Sequence, residues 1–271
     1  MGRVAVVQTV STADLSSNLE SLLGFFERAA KQGVELLVLP ENFAMMGRAD
    51  TDKYEIAEVM GEGRIQQWIS HLAQTFGLWV IAGTIPMQGR DHRVCASSLV
   101  FDSKGLCVAR YDKIHLFDVQ VSEEETHQES NTIAPGSCVV VVDTPVGRVG
   151  LSVCYDVRFP ELYHHMLKQG ADIFTVVSAF TSVTGQAHWD ILLRARAIEN
   201  VAYVLAPNQG GLHENGRSTY GHSMIIDPWG TVLGCASSGP SMIVADLDLE
   251  HLRALRKRLP CHQHHVLTDK S

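Results

Sequence analysis

Short apolar runs, none longer than a strand, recur between stretches of helical period, and this alternation limits the fold more than any other feature. Residues 3–8 are a β-branched run. Residues 36–39, Leu-Leu-Val-Leu, are wholly apolar and stopped by Pro40, as in a buried strand. Between them Leu19, Leu22, Leu23 and Phe26 fall at helical spacing, with Asp14 or Ser16 as the cap and Gly33 as the stop after about Lys31. A helix over 65–76 and a strand over 79–85 continue the pattern. Strands at 95–101 and 107–112 around the turn 102–105 predict a hairpin. The polar, acidic stretch 120–135 has no period and reads as a long loop, a kind that often carries function.

The second half repeats the texture. Runs at 139–142 and 148–153 flank a Pro-Val-Gly turn, and a helix follows over about 160–169, with Pro160 in its first turn and Gly170 at its end. A buried strand at 172–178, a helix at 189–199 and a strand at 202–207 come next. A hairpin pairs 223–227 with 231–234 across Pro-Trp-Gly, and a helix at 249–258 precedes a polar tail. No linker, low-complexity tract or sequence repeat interrupts the chain. Two halves with one strand–helix–strand–hairpin rhythm predict a single α/β domain over 1–271, two packed sheets with helices outside, ending in a tail from about 261.

Charge and patterning exclude several function classes. A formal net charge of −8 and a pI near 5.9 argue against a nucleic-acid partner. The one dense basic run, 253–258, reads as a solvated helix face. No apolar stretch approaches the ~20 residues of a membrane span, no signal-peptide core precedes the first strand, and Val6 stands where a myristoylation site needs Ser or Thr. The expectation is a cytoplasmic protein with neither membrane nor nucleic-acid partner. The six cysteines (95, 107, 138, 154, 235 and 261) form no CxxC pair and read as free thiols.

Three polar residues stand where apolar runs end. Cys154 closes a strand in Gly150-Leu-Ser-Val-Cys154, and a helix is expected to begin just after it, at Pro160. That setting would turn helix-terminal N–H groups toward the sulfur and favour a thiolate, though a packed core thiol would read the same way. Lys113, in Arg110-Tyr-Asp-Lys113, lies just past the hairpin; it is either an exposed loop lysine or a cation aimed at an attacked carbonyl oxygen, with the Tyr155 N–H as a second donor. Glu41 follows Leu39-Pro40 directly. A carboxylate at the tip of an apolar strand is easily desolvated, which suits it to proton transfer, and equally it could end the strand at the surface.

Taken together, Leu39-Pro-Glu41, Lys113-Ile-His-Leu-Phe117 and Ser152-Val-Cys-Tyr-Asp-Val-Arg-Phe-Pro-Glu161 resemble the three signature segments of the nitrilase superfamily, in order and across essentially the whole chain. The resemblance implies a Glu–Lys–Cys set, Glu41, Lys113 and Cys154, on a four-layer αββα sandwich, and assembly into homodimers or larger forms through outer helices. It also implies a second active-site glutamate in the acidic loop 121–130, which contains Glu123, Glu124 and Glu125; Glu129, in Gln128-Glu-Ser-Asn131, matches best. Thr184-Gly-Gln-Ala-His-Trp189, Leu193-Arg-Ala-Arg-Ala-Ile-Glu-Asn200 and Tyr220-Gly-His-Ser-Met-Ile-Ile-Asp-Pro-Trp-Gly-Thr231 resemble the branch of ω-amidases and deaminated-glutathione amidases. Leu252-Arg-Ala-Leu-Arg-Lys-Arg-Leu-Pro260 resembles the latter most, a group sometimes fused to a Fhit domain; no such fused domain is expected here.

The reaction so implied is cleavage of a small carboxylate-bearing amide through a thioester, with Glu41 as base, Lys113 and the Tyr155 N–H on the oxyanion, and Glu129 orienting Lys113 or the substrate. It calls for no metal or organic cofactor. Arg158 could pair a substrate carboxylate, or form a salt bridge to Glu161 or Asp156; by resemblance Phe180 and Thr184 line the same pocket. Deaminated glutathione is the expected substrate. The alternatives are α-ketoglutaramate or α-ketosuccinamate, an N-carbamoyl amine, a thiol acyltransferase, or a scaffold without chemistry. The remaining polar clusters read as structural: Cys261-His-Gln-His-His265 lacks zinc-like spacing, Arg194, Arg196 and Glu199 form an ion network, His188 and His222 make hydrogen bonds, and Trp189 and Trp229 pack.

Overall fold

The computed structural model describes residues 1–121, 126–264 and 266. Its first half runs β1 (Gly2–Gln8), α1 (Leu15–Lys31), β2 (Leu36–Val38), α2 (Arg64–Phe76), β3 (Trp79–Gln88), β4 (Val94–Phe101) and β5 (Cys107–Asp112). A small pair follows, β6 (Asp118–Gln120) and β7 (Thr126–Gln128). The second half runs β8 (Val141–Thr144), β9 (Gly147–Val153), α3 (Pro160–Lys168), β10 (Ile173–Val177), α4 (Ser182–Asn200), β11 (Tyr203–Ala206), β12 (Met224–Ile226), β13 (Val232–Cys235), β14 (Ser241–Leu247) and α5 (Leu249–Arg258).

Two six-stranded sheets result, ordered β14-β1-β2-β3-β4-β5 and β13-β12-β11-β10-β9-β8. The two-residue strand period sorts the apolar runs between layers. Val4, Val6, Leu36 and Val38 share a cluster with Val149, Leu151 and Val153 of the second sheet. Their neighbours Ala5, Val7, Leu37 and Leu39 face the other way, onto Leu22 and Phe26 of α1 and Ile69 of α2. Leu162 and Met166 of α3, with Trp189 and Leu193 of α4, cover the second sheet. The layers are therefore helix, sheet, sheet, helix: the αββα sandwich.

Several elements differ from the sequence reading. The stretch 120–135 is not wholly loop: β7 pairs with β6, and a 3-10 helix over Glu129–Asn131 follows. Glu123, Glu124 and Glu125 lie outside the described residues. α4 begins seven residues before its predicted start, because Ser182, Thr184 and Gly185 are poor helix formers that mask the period. β14 has no counterpart in the sequence reading; it pairs antiparallel with β1, joining the two ends of the chain. Trp189 is buried as expected, whereas Trp229 is 62% exposed at the β12–β13 turn and does not pack. Arg196 pairs with Glu199 at 2.7 Å, while Arg194 reaches Asp190 only at 3.7 Å from a half-exposed position. His188 Nδ1 lies 3.3 Å from Arg158 Nη2, and His222 Nδ1 lies 2.8 Å from the Tyr220 carbonyl. In the tail, the Cys261 thiol donates to the Glu199 carbonyl.

Candidate active site

Parallel strands carry their C-terminal ends to one side of a sheet, and the groups that follow them meet there. Glu41 comes three residues after β2, Lys113 directly after β5, Cys154 directly after β9, Ala179 two residues after β10, and Asn208 and Gln209 just after β11. β2 is parallel to β1 and β3, and β10 is parallel to β9 and β11. Sandwich packing thus delivers residues from both sheets to one place.

Lys113 is the hub. Its ammonium donates to Glu41 Oε1 at 3.0 Å and to Glu129 Oε1 at 2.8 Å, and its side chain is only 2% exposed. Burial alone would lower its pKa, but Glu129, Glu41 and Cys154 outweigh burial and hold the charge. Glu41 Oε2 accepts from the Ala179 N–H at 2.8 Å, so a carboxylate of the first sheet is anchored on the second. The Gln209 amide holds the Glu41 carbonyl from behind at 2.9 Å. Glu129 Oε2 accepts from the Phe117 N–H at 2.7 Å, which fixes it beside Lys113.

Cys154 is buried and opens a 3-10 helix over Cys154–Arg158 with φ +48°. For a residue with a Cβ that left-handed backbone is costly, the sort of strain that collects at functional sites. α3 begins at Pro160, where the sequence places it, with the 3-10 turn between it and the sulfur. The surroundings do not favour a thiolate. Burial first, then the Glu41 carboxylate, push the thiol up; Lys113 and the Ala179 N–H pull down without prevailing.

A cavity of about 630 Å³ opens over this cluster. Glu41, Lys113, Cys154 and Glu129 all line it, and so do Tyr155, Phe180 and Thr184. Arg158 does not. Its guanidinium lies over the rings of Tyr155 and Phe180, 5.7 and 5.5 Å from their centroids, and beside His188. Sequence reasoning missed Lys53 and Arg217, two cations on the cavity wall. Lys53 donates to Thr132 Oγ1 at 3.0 Å, and burial lowers its pKa. It also missed the Asn208–Gln209 pair, whose position just past a parallel strand was the available signal. Among the described residues no group of three or more His, Cys, Asp or Glu side chains is arranged to hold a metal ion.

A thiol, a carboxylate and a buried ammonium at the strand ends of an αββα sandwich define a class, the cysteine-containing hydrolases of carbon–nitrogen bonds. The carbon-nitrogen hydrolase family matches residues 3–257, and the chain belongs to that family, within the nitrilase superfamily. It is similar to the human deaminated glutathione amidase, 42% identical over 96% of this chain and 81% of that one. The solved NitFhit protein of C. elegans superposes with a TM-score of 0.91 at 38% identity, covering 98% of this chain and 66% of that one. Saccharomyces cerevisiae Nit3, a member of branch 10 of the nitrilase superfamily, gives a TM-score of 0.85 at 32% identity, covering 96% of this chain and 94% of that one. The chain is an amidase by family. No helix among the described residues is long and apolar enough to cross a membrane.

Proposed function

We propose that this amidase hydrolyses deaminated glutathione, a tripeptide-derived keto acid with a carboxylate at each end, at the amide between its keto-acid chain and its cysteine. The convergence of Glu41, Lys113 and Cys154 on one cavity carries the reading, and the similarity to deaminated glutathione amidases narrows the substrate. Cys154 Sγ attacks the amide carbon as Glu41 takes the thiol proton. The oxygen turns anionic against the Lys113 ammonium and the Tyr155 N–H. Glu41 returns the proton to nitrogen, the C–N bond breaks and cysteinylglycine leaves. Water, deprotonated by Glu41, opens the thioester to a dicarboxylic keto acid, and the proton returns to sulfur. Glu129 holds Lys113 in line, consistent with its 2.8 Å contact.

The assay follows product amine or ammonia from deaminated glutathione, α-ketoglutaramate, an N-carbamoyl amino acid and a nitrile, with wild type and Cys154→Ala side by side. Wild type should be fastest on deaminated glutathione, and Cys154→Ala should lose at least about 10⁴-fold while melting within a few degrees of wild type. Full turnover in Cys154→Ala would sink the mechanism; preference for α-ketoglutaramate would move the assignment to an ω-amidase. The protein works as a homo-oligomer, a reading supported by the exposed apolar side chains of α4 and the β12–β13 turn.

A further inference from the structure

The cavity holds an ammonium that the proposed chemistry does not use. Lys53 stands on a 3-10 turn over Asp52–Tyr54, in the stretch that runs from Glu41 to α2. That stretch is pinned along its length. The Met46 N–H donates to the Thr12 carbonyl at 2.9 Å, and Asp52 Oδ2 accepts from the Arg48 and Ala49 N–H groups at 2.8 and 3.0 Å. Beyond the turn, the Glu58 N–H donates to the Pro86 carbonyl, and the Glu58 carboxylate accepts from the Ile65 and Gln66 N–H groups at the start of α2. So held, Lys53 lies half-buried on the cavity wall and gives one donor to the Thr132 hydroxyl at 3.0 Å. Among the described residues no carboxylate stands within ion-pair distance of it, whereas the Lys113 ammonium has two. Burial lowers its pKa, and Asp50 and Glu129 offset only part of that. An ammonium has three donors, and one so placed is best satisfied by an anion that comes to it.

The position of Lys53 in the cavity says which anion. The wall has two faces, one from each sheet. From the second sheet come Tyr155, Phe180 and the first turn of α4, the pocket expected for the acyl chain; from the first come Glu41 and the stretch that follows it to Lys53. In the proposed reaction Glu41 hands its proton to the leaving nitrogen, so the amine departs along the face on which Glu41 stands. Cysteine and glycine follow that nitrogen, and the glycine carboxylate lies five bonds on, about 6 Å away in an extended chain. A hydrogen bond of about 3 Å brings the reach to roughly 9 Å. Charges bear on one another over roughly 10 Å, and those of Glu129, Lys113 and Glu41 all reach Lys53. The link is short: Thr132, which Lys53 holds, donates to the Glu129 carbonyl at 3.4 Å, and Glu129 contacts Lys113 at 2.8 Å. The other cations on the wall are already taken. Arg48 is mostly exposed and paired with Glu214 at 3.2 Å, and Arg217 donates to the carbonyl of Ala179, after β10 of the second sheet.

We infer that Lys53 binds the carboxylate of the leaving amine, the glycine end of a cysteinylglycine group, an inference that rests on the proposed amidase reaction. Lys53 is then a specificity residue: it selects amides whose amine part ends in an anion, and it leaves the acyl chain to the opposite face. It acts until the C–N bond breaks and has no part in opening the thioester, which no longer carries the amine.

Kinetics of Lys53→Met, Lys53→Arg and Arg48→Gln on three substrates separate the possibilities. Deaminated glutathione has the leaving-side carboxylate, its C-terminal methylamide has that group capped, and α-ketoglutaramate, which releases ammonia, has nothing there. Wild type should favour deaminated glutathione over the methylamide at least tenfold in kcat/KM. Lys53→Met should lower kcat/KM on deaminated glutathione roughly 10- to 100-fold, mostly through KM. That loss should exceed the loss on the other two substrates at least tenfold, and Lys53→Arg should recover part of it. Equal losses on all three would make Lys53 a support for Thr132 and Glu129 and overturn the inference. So would no loss, a wild type indifferent to the cap, or a loss in Arg48→Gln alone. If wild type cleaves α-ketoglutaramate but not deaminated glutathione, the proposed function fails first. Calorimetry of deaminated glutathione binding to Cys154→Ala, with and without Lys53→Met, then decides the subsite: at least tenfold weaker binding supports it, and equal binding or none ends it.

Discussion

Asp156 has no solvent exposure and ties together the two segments that meet at the site. Its carboxylate accepts from the Tyr111 hydroxyl at 2.7 Å, the His115 N–H at 3.0 Å and the Val153 N–H at 2.9 Å, and His115 Nδ1 lies 2.7 Å away. Tyr111 and His115 bracket Lys113; Val153 precedes Cys154. One side chain thus sets the ammonium and the thiol relative to each other across the gap between sheets. His115 is further stacked on Phe159, with 3.7 Å between ring centroids. In Asp156→Asn an amide NH2 would face a donor, leaving buried polar groups unmatched at a cost of about 2–4 kcal/mol. We expect a melting temperature lower by about 5–15 °C and a kcat at least tenfold lower for whatever substrate wild type turns over. Calorimetry beside kinetics checks both, and an unchanged kcat in a folded Asp156→Asn would show that the tie has no bearing on the chemistry.

Among the elements, the β2–β3 crossing has the least room. A Cβ on Gly83 would land on the carbonyl of Pro40, the residue that leads into Glu41. The neighbouring Thr84 hydroxyl accepts from the Asn42 N–H at 3.0 Å, so the bulged part of β3 supports the Glu41 segment on both sides. Because the obstacle is main chain, it cannot swing aside as a side chain would. Gly83→Ala should cost roughly 2–4 kcal/mol and displace Glu41, with thermal melting and activity falling together; a variant that melts like wild type would show that the crossing can relax. Such contacts explain what the sequence could and could not disclose. The hairpin of β4 and β5, the helices α1, α2 and α5 and the strand leading to Cys154 all have local signatures of period, cap or turn, and so were legible. So was the grouping of Glu41, Lys113 and Cys154, which meet at one cavity, through segment resemblance more than through any property of the single residues. β14 was not, because its partner β1 lies at the other end of the chain. The start of α4 was hidden by Ser, Thr and Gly. Arg217 sits in a polar loop whose sequence does not say that the loop folds back onto the cavity.

At the scale of the molecule, the described residues place an apolar patch on the outer helix layer. Ile191 and Ile198, seven residues apart on α4, are 68% and 46% exposed, and both point outward. The β12–β13 turn adjoins them: Arg194 Nε donates to the Gly230 carbonyl at 2.9 Å, and a Cβ on Gly230 would meet Ile198. Trp229 therefore belongs to the same patch. Each such side chain left in water forgoes about 1.5–3 kcal/mol, which a second copy of the chain could recover. A stable interface needs about 800 Å² per partner, more than these residues supply alone, so polar parts of α4 would complete it. The same helix supplies Ser182 to Thr184 to the cavity wall at its other end. Pairing along α4 would hold that helix rigid and with it the first turn facing the acyl-side carboxylate. Ile198→Asp should then shift the sedimentation coefficient from an oligomer to a monomer at micromolar concentration, and raise KM for anionic amides more than it lowers kcat. A wild-type chain that sediments as a monomer would remove this patch from the assembly. An Ile198→Asp monomer with an unchanged KM would show instead that α4 holds its first turn in place without a partner.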